Sequence, residues 1–389
     1  MHNFNTLAVF VPEPLSSYAL KGEITPRYFN PGNLFKEVHI VLFNDDKPDI
    51  ADIQKTVGNA KLHIHNISIP PGLFLQTLGF RPFLLKKWAN NNIKLMKKIN
   101  PQLIRCYGIY LNAFLASEIK RKLNIPFVLS LHGNPDVDYL RGRLARSLKS
   151  WLSGQLIKQL ESYCLKHVSH VIAVYSPIIP YLEKHKVKHY SLIYNVVALE
   201  AKKKKTIQHF KKRRLNLLCV GRQTVLQKNP INIIKAVANL ENVHLTLVGN
   251  GDLHYKLKNI AKENNCSNRI TFYESLPNTE VLNLMYNSDI YIYHSINYEI
   301  SKSCIEASII GIPVIVNNRN ENPAKELVEA GFILVEDSPE GYLNGIKELK
   351  DKPEKLKNTI KCSNKYADEN WDPKKSEQKL VNLYKDVLK

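Results

Sequence analysis

The stretch LNLLCVGRQTVLQKNPINIIKAV (215–237) decides the fold together with two stretches that follow it. These are VHLTLVGNGDLHYKL (243–257) and DIYIYHSINYEISKSCIEASIIGIPVIVN (289–317). Each contains an apolar run of the length expected for a buried strand. Each then passes through a polar or glycine-containing turn and continues as a helix. Such turns expose backbone N–H groups at helix N-termini, where phosphate groups bind well.

Charged side chains stand in or beside these turns. Arg222 and Lys228 bracket the turn of the first stretch, and Glu306 lies within the helix of the third. Cations and helix N-termini suit a diphosphate, and a carboxylate suits the hydroxyl groups of a sugar. The pattern therefore predicts a site for a nucleotide sugar.

The rest of the chain repeats this alternation of strand and helix, which favours parallel sheets covered by helices on both faces. The first half has strand candidates at Leu7–Val11, Val38–Phe43, Leu62–Ile67, Leu103–Tyr107, Pro126–Leu131, His170–Val174 and Ser191–Tyr194. The second half has them at Leu215–Val220, Val243–Val248, Ile270–Tyr273, Ile290–Tyr293, Pro313–Val316 and Phe332–Val335. The predicted fold class is α/β, with doubly wound, Rossmann-like sheets.

A basic segment separates the two series of strands. Residues 200–214, EAKKKKTIQHFKKRR, show almost no apolar periodicity, and we place a domain boundary near Val197–Glu200. Two α/β halves joined by a linker put a cleft between the carboxyl edges of their sheets, where doubly wound folds bind ligands.

The composition excludes several classes of protein. With 389 residues and 44% hydrophobic content, the chain can bury two cores and is not disordered. Its net charge of +20 favours anionic partners without choosing among phosphates, acidic lipids and nucleic acid. The six cysteines form no CxxC motif, so we expect a reducing compartment, no disulfide framework and no zinc site.

The N-terminus has no pattern typical of a signal peptide. Its apolar run, Leu7–Val11, is too short for one, and no segment approaches the roughly 20 apolar residues that span a bilayer. We expect a cytoplasmic protein, at most bound to the inner face of the cytoplasmic membrane.

Short motifs along the second half occur in an order and spacing that are typical of one enzyme family. They are VGR (220–222), KN (228–229), VGNG (248–251), NSDIYIYHS (287–295), IEA (305–307) and GIPVIV (311–316). Together they resemble the retaining glycosyltransferases of family 4, which have the GT-B fold. The resemblance continues less sharply in the first half through His132-Gly133, HVIAVYS (170–176) and YNVV (194–197).

The resemblance implies three parts of the chain. Residues 1–197 would form an acceptor-side Rossmann-like domain, and residues 198–370 a Rossmann-like domain that binds the nucleotide sugar. Residues 371–389 would form a C-terminal helix that packs back on the first domain.

The resemblance also implies roles for single residues. Arg222 and Lys228 would hold the donor diphosphate and offset the charge that builds up on the departing nucleotide. Glu306 would bind the ribose hydroxyls, and Gly221 and Ser275 would lie in loops that contact the donor. The alternative for the cations is a solvated surface pair, and for Glu306 an ordinary helix glutamate.

Two further segments take roles from the resemblance. Ile300, Ser301, Lys302 and Ser303 would form a helix N-terminus that faces the diphosphate or sugar hydroxyls, with Ser301 or Ser303 as its cap. A cap without a ligand is the alternative. His132 would contact the donor sugar from the acceptor side, and a turn histidine with satisfied hydrogen bonds is its alternative.

The sequence departs from the family pattern at the first glutamate of the E-x7-E motif. Tyr298 occupies that position and Glu299 follows it. Either Glu299 serves after a shift of one residue, or the role is lost, because a tyrosine hydroxyl can donate a hydrogen bond but carries no charge at neutral pH. The glycine-rich loop of the family is reduced to Gly22-Glu23.

Two segments of the first half, 74–100 and 138–160, are both basic and apolar, as interfacial membrane helices are. We therefore hypothesise a peripheral contact with an anionic membrane surface. The alternative is helices packed on the domain with their charges in water. The runs Lys202–Lys205 and Lys211–Arg214 are typical of a solvated linker, and without a reader motif no nucleic-acid partner is expected.

The expected function is retaining transfer of a sugar from a UDP- or GDP-sugar to a hydroxyl of a glycan or a lipid-linked acceptor, in cell-envelope or polysaccharide synthesis. The resemblance implies that no cofactor and no metal are needed, and no DxD motif follows a strand. Two alternatives stay open: a sugar-nucleotide epimerase of the same architecture, and a non-catalytic basic binding protein.

Overall fold

The computed structural model describes residues 4–70, 73, 82–136, 148–197, 199, 214–224, 228–296, 300–319 and 323–389, with backbone alone for residues 82 and 148–157. Tyr298 and Glu299 lie outside the described residues, as do the lysine runs of 200–213 and residues 137–147 of the second basic segment.

The chain divides into two compact units. The first comprises Met1–Leu20, Ile24–Val196 and Lys374–Lys389, and the second comprises Lys21–Glu23 and Val197–Pro373.

The first unit contains a seven-stranded parallel sheet in the order β3-β2-β1-β4-β5-β6-β7. Its strands are β1 (Phe4–Val11), β2 (Phe35–Leu42), β3 (Lys61–Asn66), β4 (Leu103–Tyr107), β5 (Phe127–Leu131), β6 (His170–Ala173) and β7 (Tyr190–Leu192). Its helices are α1 (Leu15–Leu20), α2 (Ile50–Gln54), α3 (Pro82–Ile99), α4 (Leu111–Leu123), α5 (Leu148–His167) and α6 (Ile179–Lys184), with 3-10 turns at Pro31–Asn33, Lys55–Val57 and Ser176–Ile178.

The second unit contains a six-stranded parallel sheet in the order β10-β9-β8-β11-β12-β13. Its strands are β8 (Leu215–Val220), β9 (Val243–Val248), β10 (Ile270–Tyr273), β11 (Ile290–Tyr293), β12 (Val314–Asn317) and β13 (Ile333–Val335). Its helices are α7 (Ile231–Ala238), α8 (His254–Glu263), α9 (Asn278–Asn287), α10 (Lys302–Ile310), α11 (Lys325–Glu329), α12 (Pro339–Asp351) and α13 (Pro353–Tyr366), with a 3-10 turn at Ser267–Arg269 and a π-helical segment at Ala367–Trp371.

The strands form where the apolar runs predicted them. A central strand of a parallel sheet is covered on both faces, so it needs consecutive apolar residues rather than alternation. In β1 the five residues Leu7–Val11 are all buried, and β4 and β11 are buried throughout. All thirteen predicted strands are present among the described residues, and the predicted bounds of β4, β8, β9, β10 and β11 are confirmed.

The strand order of the second sheet fixes where its loops meet. From β8 the chain moves outward through β9 to β10, and then returns to the other side of β8 as β11. The connections after β8 and β11 therefore leave the same edge side by side. This reversal of order is where open α/β sheets bind ligands.

The last helix, α14 (Pro373–Val387), belongs to the first unit from Lys374 onward. Glu377 accepts hydrogen bonds from Arg27 Nε at 2.6 Å, from Arg27 Nη2 at 2.9 Å and from the backbone N–H of Gly32 at 2.8 Å. Bidentate arginine–carboxylate pairs fix geometry as well as energy, so these bonds set the position of the helix start.

Five of the six cysteines are buried, and Cys362 is exposed. Among the described residues, no helix has the length and apolar character that crossing a bilayer requires.

Candidate functional site

Glycines bring the turns after β8 and β9 into backbone contact. A Cβ atom on Gly249 would lie 2.1 Å from the carbonyl oxygen of Gly221, and one on Gly251 would lie 2.1 Å from the carbonyl oxygen of Gln223. Contacts this short exclude a side chain at Gly249 and Gly251. The close approach of the two backbones therefore explains the glycines of the VGNG motif without a ligand.

The side chain of Lys228 lies across Gly221. A Cβ atom on Gly221 would lie 2.6 Å from Lys228 Cδ and 3.0 Å from its Nζ. Burial raises the pKa of the Cys219 thiol to about 12 and that of the Cys304 thiol to about 11, and the Lys228 ammonium lowers both. The ammonium group is therefore close to both the end of β8 and the first turn of α10.

The cations of this turn differ in exposure. Lys228 is half-buried, and its backbone N–H and C=O exchange two 3.2 Å hydrogen bonds with Thr224. Arg222 is exposed on the same turn. Within the part of the chain that the structure describes, no carboxylate lies within 4.0 Å of Lys228 Nζ. The Lys228 charge is thus positioned by the backbone rather than by an ion pair.

Glu306 lies in the middle of α10 and is 7% exposed. Burial raises the pKa of its carboxyl to about 7, Lys302 lowers this pKa, and Glu23 raises it. Among the described residues, no hydrogen-bond donor contributes to this pKa. A buried carboxyl without a donor is suited to accept hydrogen bonds from a ligand.

The N-terminus of α10 is capped by Ser301, one of the two residues that were predicted as its cap. The Ser301 side chain accepts a 3.3 Å hydrogen bond from the backbone N–H of Cys304 and lies 2.9 Å from Cys304 Sγ. Ser303 is instead in the first turn, 3.4 Å from Ser301 Oγ. Ile300 is buried at 6% exposure just before the cap, so its side chain packs in the protein.

His294 was missed by the sequence reasoning. Its Nδ1 accepts a 3.0 Å hydrogen bond from the backbone N–H of Asn229, so Nε2 carries the proton and donates to Asp337 Oδ2 at 3.0 Å. Asp337 Oδ1 also accepts from Asn232 Nδ2 at 3.0 Å. The hydrogen bond from His294, followed by the one from Asn232, lowers the pKa of Asp337 and outweighs burial, which raises it.

This network fixes the residue next to Lys228. Asn229 is bonded to the end of β11 through His294, and Asn229 Oδ1 accepts from the N–H of Ile231 at the start of α7 at 3.2 Å. His294 and Asp337 are 43 residues apart in sequence, and only the fold brings them together. The sequence contained part of the signal for a site residue here, since His294 stands directly after the predicted strand Ile290–Tyr293.

The other predicted site residues occupy separate places. Ser275 is exposed in the connection after β10. His132 follows β5 in the first unit, where its carbonyl accepts a 3.0 Å hydrogen bond from Tyr175 and its ring lies 5.7 Å from that of Tyr107. In the second unit, the structure brings Gly221, Lys228 and the start of α10 together. The ligand roles of all these residues stay predictions.

Two family models match the chain. The model described as "Glycosyl transferases group 1" matches residues 200–366, and the model described as "Glycosyltransferase Family 4" matches residues 36–201. No curated protein matches the chain.

Solved structures resemble the chain over almost its whole length. Sucrose-phosphate synthase from Thermosynechococcus elongatus has a TM-score of 0.70 at 16% identity and covers 98% of this chain and 99% of its own. HepE from Anabaena in complex with UDP-glucose has a TM-score of 0.67 at 15% identity, with coverages of 98% and 99%. The apo form of the lipopolysaccharide outer core galactosyltransferase WaaB has a TM-score of 0.62 at 14% identity, with coverages of 93% and 97%. The predicted GT-B fold, with two Rossmann-like sheets, is confirmed.

The raised pKa of Glu306 predicts a pH-dependent stability of the unliganded chain. Its folded-state pKa, about 7, lies above the ordinary glutamate value of 4.5, so the contribution of Glu306 to folding stability is fully present below about pH 4.5 and is lost as the pH rises through 7. Because glutamine does not ionise, Glu306→Gln should gain stability relative to the unaltered chain between pH 5 and pH 8. The gain is on the order of 3 kcal/mol for a shift of this size.

Urea unfolding of both proteins at pH 5 and pH 8 measures this difference. Glu263→Gln, which changes an exposed carboxyl at the end of α8, is the control and should follow the unaltered chain at both pH values. Parallel pH profiles for Glu306→Gln and the unaltered chain would show that Glu306 is not buried as described.

Proposed function

We propose, from the premise that the chain belongs to the group 1 glycosyltransferases of family 4, that it transfers a sugar from a nucleoside diphosphate sugar to an acceptor hydroxyl with retention of the anomeric configuration. The observation that carries the proposal is the Lys228 ammonium, laid over Gly221 close to the first turn of α10. A cation held beside a helix N-terminus is an anion site by two independent mechanisms, charge and backbone N–H groups.

The donor would lie with its diphosphate against Lys228 and the N-terminus of α10. Arg222 is exposed on the same turn, and its flexible side chain would contact that diphosphate. The Glu306 carboxylate would accept hydrogen bonds from the two ribose hydroxyls. Ligand hydroxyls would then supply the donors that this carboxyl lacks among the described residues.

In the reaction, the bond from the anomeric carbon to the diphosphate oxygen breaks, and a bond from the acceptor oxygen to that carbon forms on the same face. The acceptor proton passes to the departing diphosphate, so no covalent enzyme intermediate is needed. Negative charge grows on the leaving group, and preorganised cations stabilise that charge in the transition state. Lys228 and Arg222 are proposed to do this in place of a metal ion.

Narrower proposals concern the nucleotide base of the donor, the sugar acceptor and the location of the protein in the cell. The UDP and UDP-glucose complexes of HepE make UDP the first nucleotide to test, with GDP as the comparison. The likeness to WaaB supports an envelope glycan or a lipid-linked acceptor, met at the cytoplasmic side of the membrane. Contact with an anionic membrane surface belongs to this proposal, and sedimentation with anionic liposomes at low salt decides it.

Incubation of the protein with candidate donors, with and without acceptor, tests the reaction class. A transferase consumes donor in an acceptor-dependent way and forms a glycosidic bond, whereas an epimerase converts the donor alone into its epimer. Absence of both activities, together with absence of saturable UDP and GDP binding, would favour the basic binding protein instead.

Loss of either charge of the donor site should weaken nucleotide binding without unfolding the protein. We expect Lys228→Ala and Glu306→Ala each to raise the dissociation constant of UDP about tenfold or more, because a charge-assisted hydrogen bond contributes about 1.5–3 kcal/mol. Isothermal titration calorimetry measures the affinity, and circular dichroism checks the fold. The control is Lys256→Ala, which removes an exposed positive charge from α8. Unchanged UDP affinity in both variants would mean that the site is misplaced.

His294 should act through Lys228 rather than on the ligand. His294→Ala removes the acceptor for Asn229 N–H and frees the turn that carries Lys228, so UDP affinity should fall about tenfold. Its effect should largely vanish in a Lys228→Ala background, because a double-mutant cycle isolates coupling between residues of one network.

The matched control for this cycle is His244→Ala, which removes a histidine on β9 that is hydrogen-bonded to Thr271 at 2.9 Å. It should leave UDP affinity unchanged. Additive effects of His294→Ala and Lys228→Ala would contradict a positioning role.

A further inference from the structure

A group of histidines lies on one face of the β2–β3 pair, in the first unit. The parallel register pairs His39 with His63 and Glu37 with Lys61. Because side chains alternate along a strand, His65 shares the face of His63, and Glu37 shares the face of His39. The strand β3 is the edge strand of the sheet, so these residues join the edge to its neighbour.

Three potential metal ligands of this group point at one another. Glu37 Oε2 lies 3.7 Å from His39 Nε2 and 3.8 Å from His63 Nε2, and the three atoms all lie within 4.8 Å of one another. The rings of His39 and His63 are parallel within 9°, with their centroids 4.4 Å apart. Both imidazoles therefore direct their Nε2 atoms to the same side, where the Glu37 carboxylate lies.

The third histidine offers a hydrogen-bond partner to the ring of His39. His39 Nδ1 lies 2.9 Å from His65 Nε2, within hydrogen-bond distance. When His39 Nδ1 donates this bond, the lone pair of His39 Nε2 faces Glu37 and His63. A hydrogen bond from the other ring N–H of a metal-bound histidine fixes the tautomer and the orientation of the ring.

One ring nitrogen of the group has no hydrogen-bond partner in the part of the chain that the structure describes. The His63 Nε2 atom is shielded from solvent and has no hydrogen-bond partner among the described residues. A buried imidazole nitrogen without a partner is costly unless something occupies the place before it.

We propose that Glu37, His39 and His63 bind one divalent transition-metal ion, with zinc the best match to this donor set. Two imidazoles and one carboxylate are a known zinc ligand set that leaves a fourth position for water. Zinc bonds of about 2.0–2.2 Å can span at most about 4.4 Å between two ligand atoms, so both distances to Glu37 already fit. The imidazoles of His39 and His63 have only to tilt toward each other for both Nε2 atoms to reach the same ion.

The ion would fasten the edge strand β3 to β2 and has no part in the proposed sugar transfer. Binding to the folded state alone stabilises that state by mass action. The expectation that the chain has no zinc site came from the cysteine spacing. The histidine group depends on the pairing of two strands, which cysteine spacing does not report.

The test uses the full chain after removal of metal with a chelator and dialysis. Titration with zinc chloride should show one ion per chain with micromolar or tighter affinity, and the melting temperature should rise on zinc addition. Glu37→Gln and His63→Gln should each weaken zinc binding at least about tenfold, since each removes one of three ligands. Both positions are partly exposed, so these variants should fold, and circular dichroism checks that they do.

The control is His189→Gln, which changes an exposed histidine of the same unit outside the group and should bind zinc like the unaltered chain. Cobalt(II) supplies a readout on the unaltered chain, because a four-coordinate site gives strong visible absorption that an ion loosely bound to surface histidines lacks. His65→Phe should weaken zinc binding about tenfold through loss of the hydrogen bond to His39.

Three outcomes would overturn the proposal. They are the absence of stoichiometric zinc binding, an affinity that is unchanged in Glu37→Gln and His63→Gln, and a cobalt complex without four-coordinate absorption. UDP affinity is measured on the same samples. Failure of the zinc site with intact UDP binding leaves the proposed function untouched, and the reverse result leaves the zinc site untouched.

Discussion

The backbone contact between the turns after β8 and β9 is the constraint on which the second unit of this protein depends. Gly249 could not carry a Cβ atom without meeting the Gly221 carbonyl at 2.1 Å. Gly221 itself carries no side chain, so the Lys228 side chain can lie across its backbone. Parallel pairing of β8 with β9 and β11 then sets the place of this backbone beside the start of α10.

The same part of the chain holds charges at a cost to stability. Burial of Glu306 opposes its ionisation, and the described residues give its carboxyl no hydrogen-bond donor. Lys228 likewise has no carboxylate partner among them. Residues selected only for stability would be paired or replaced by apolar ones. Unpaired charges that are held in place by backbone bonds are what a site for a charged ligand requires, because a partner inside the protein would have to be displaced first.

Much of the fold could be predicted from the sequence, because both sheets are parallel. Strands buried on two faces appear as continuous apolar runs, such as LNLLCV in β8, and these runs are hard to confuse with turns. The positions of Lys228 and Ser301 were predictable for a related reason, since each stands just before the apolar segment of a helix, INIIKAVA in α7 and KSCIEASII in α10. The partners of His294 were not predictable, because Asp337 lies beyond two further strands and only the strand order brings it near. Periodicity reports the face on which a residue lies, and it does not report what the neighbouring strand contributes to that face.

The histidines of β2 and β3 show the same limit more sharply. The sequence LHIH in β3 alternates as an ordinary strand does, and HIVL in β2 is a buried strand run that contains one histidine. Their significance comes from register: a shift of one residue in the pairing would turn His63 and His65 to the opposite face and leave His39 alone. An edge strand has a neighbour on one side only, so its register is less constrained than that of β1 or β4. A cluster whose side chains must align across the two strands selects one register among several, and a metal ion bound there would strengthen the selection.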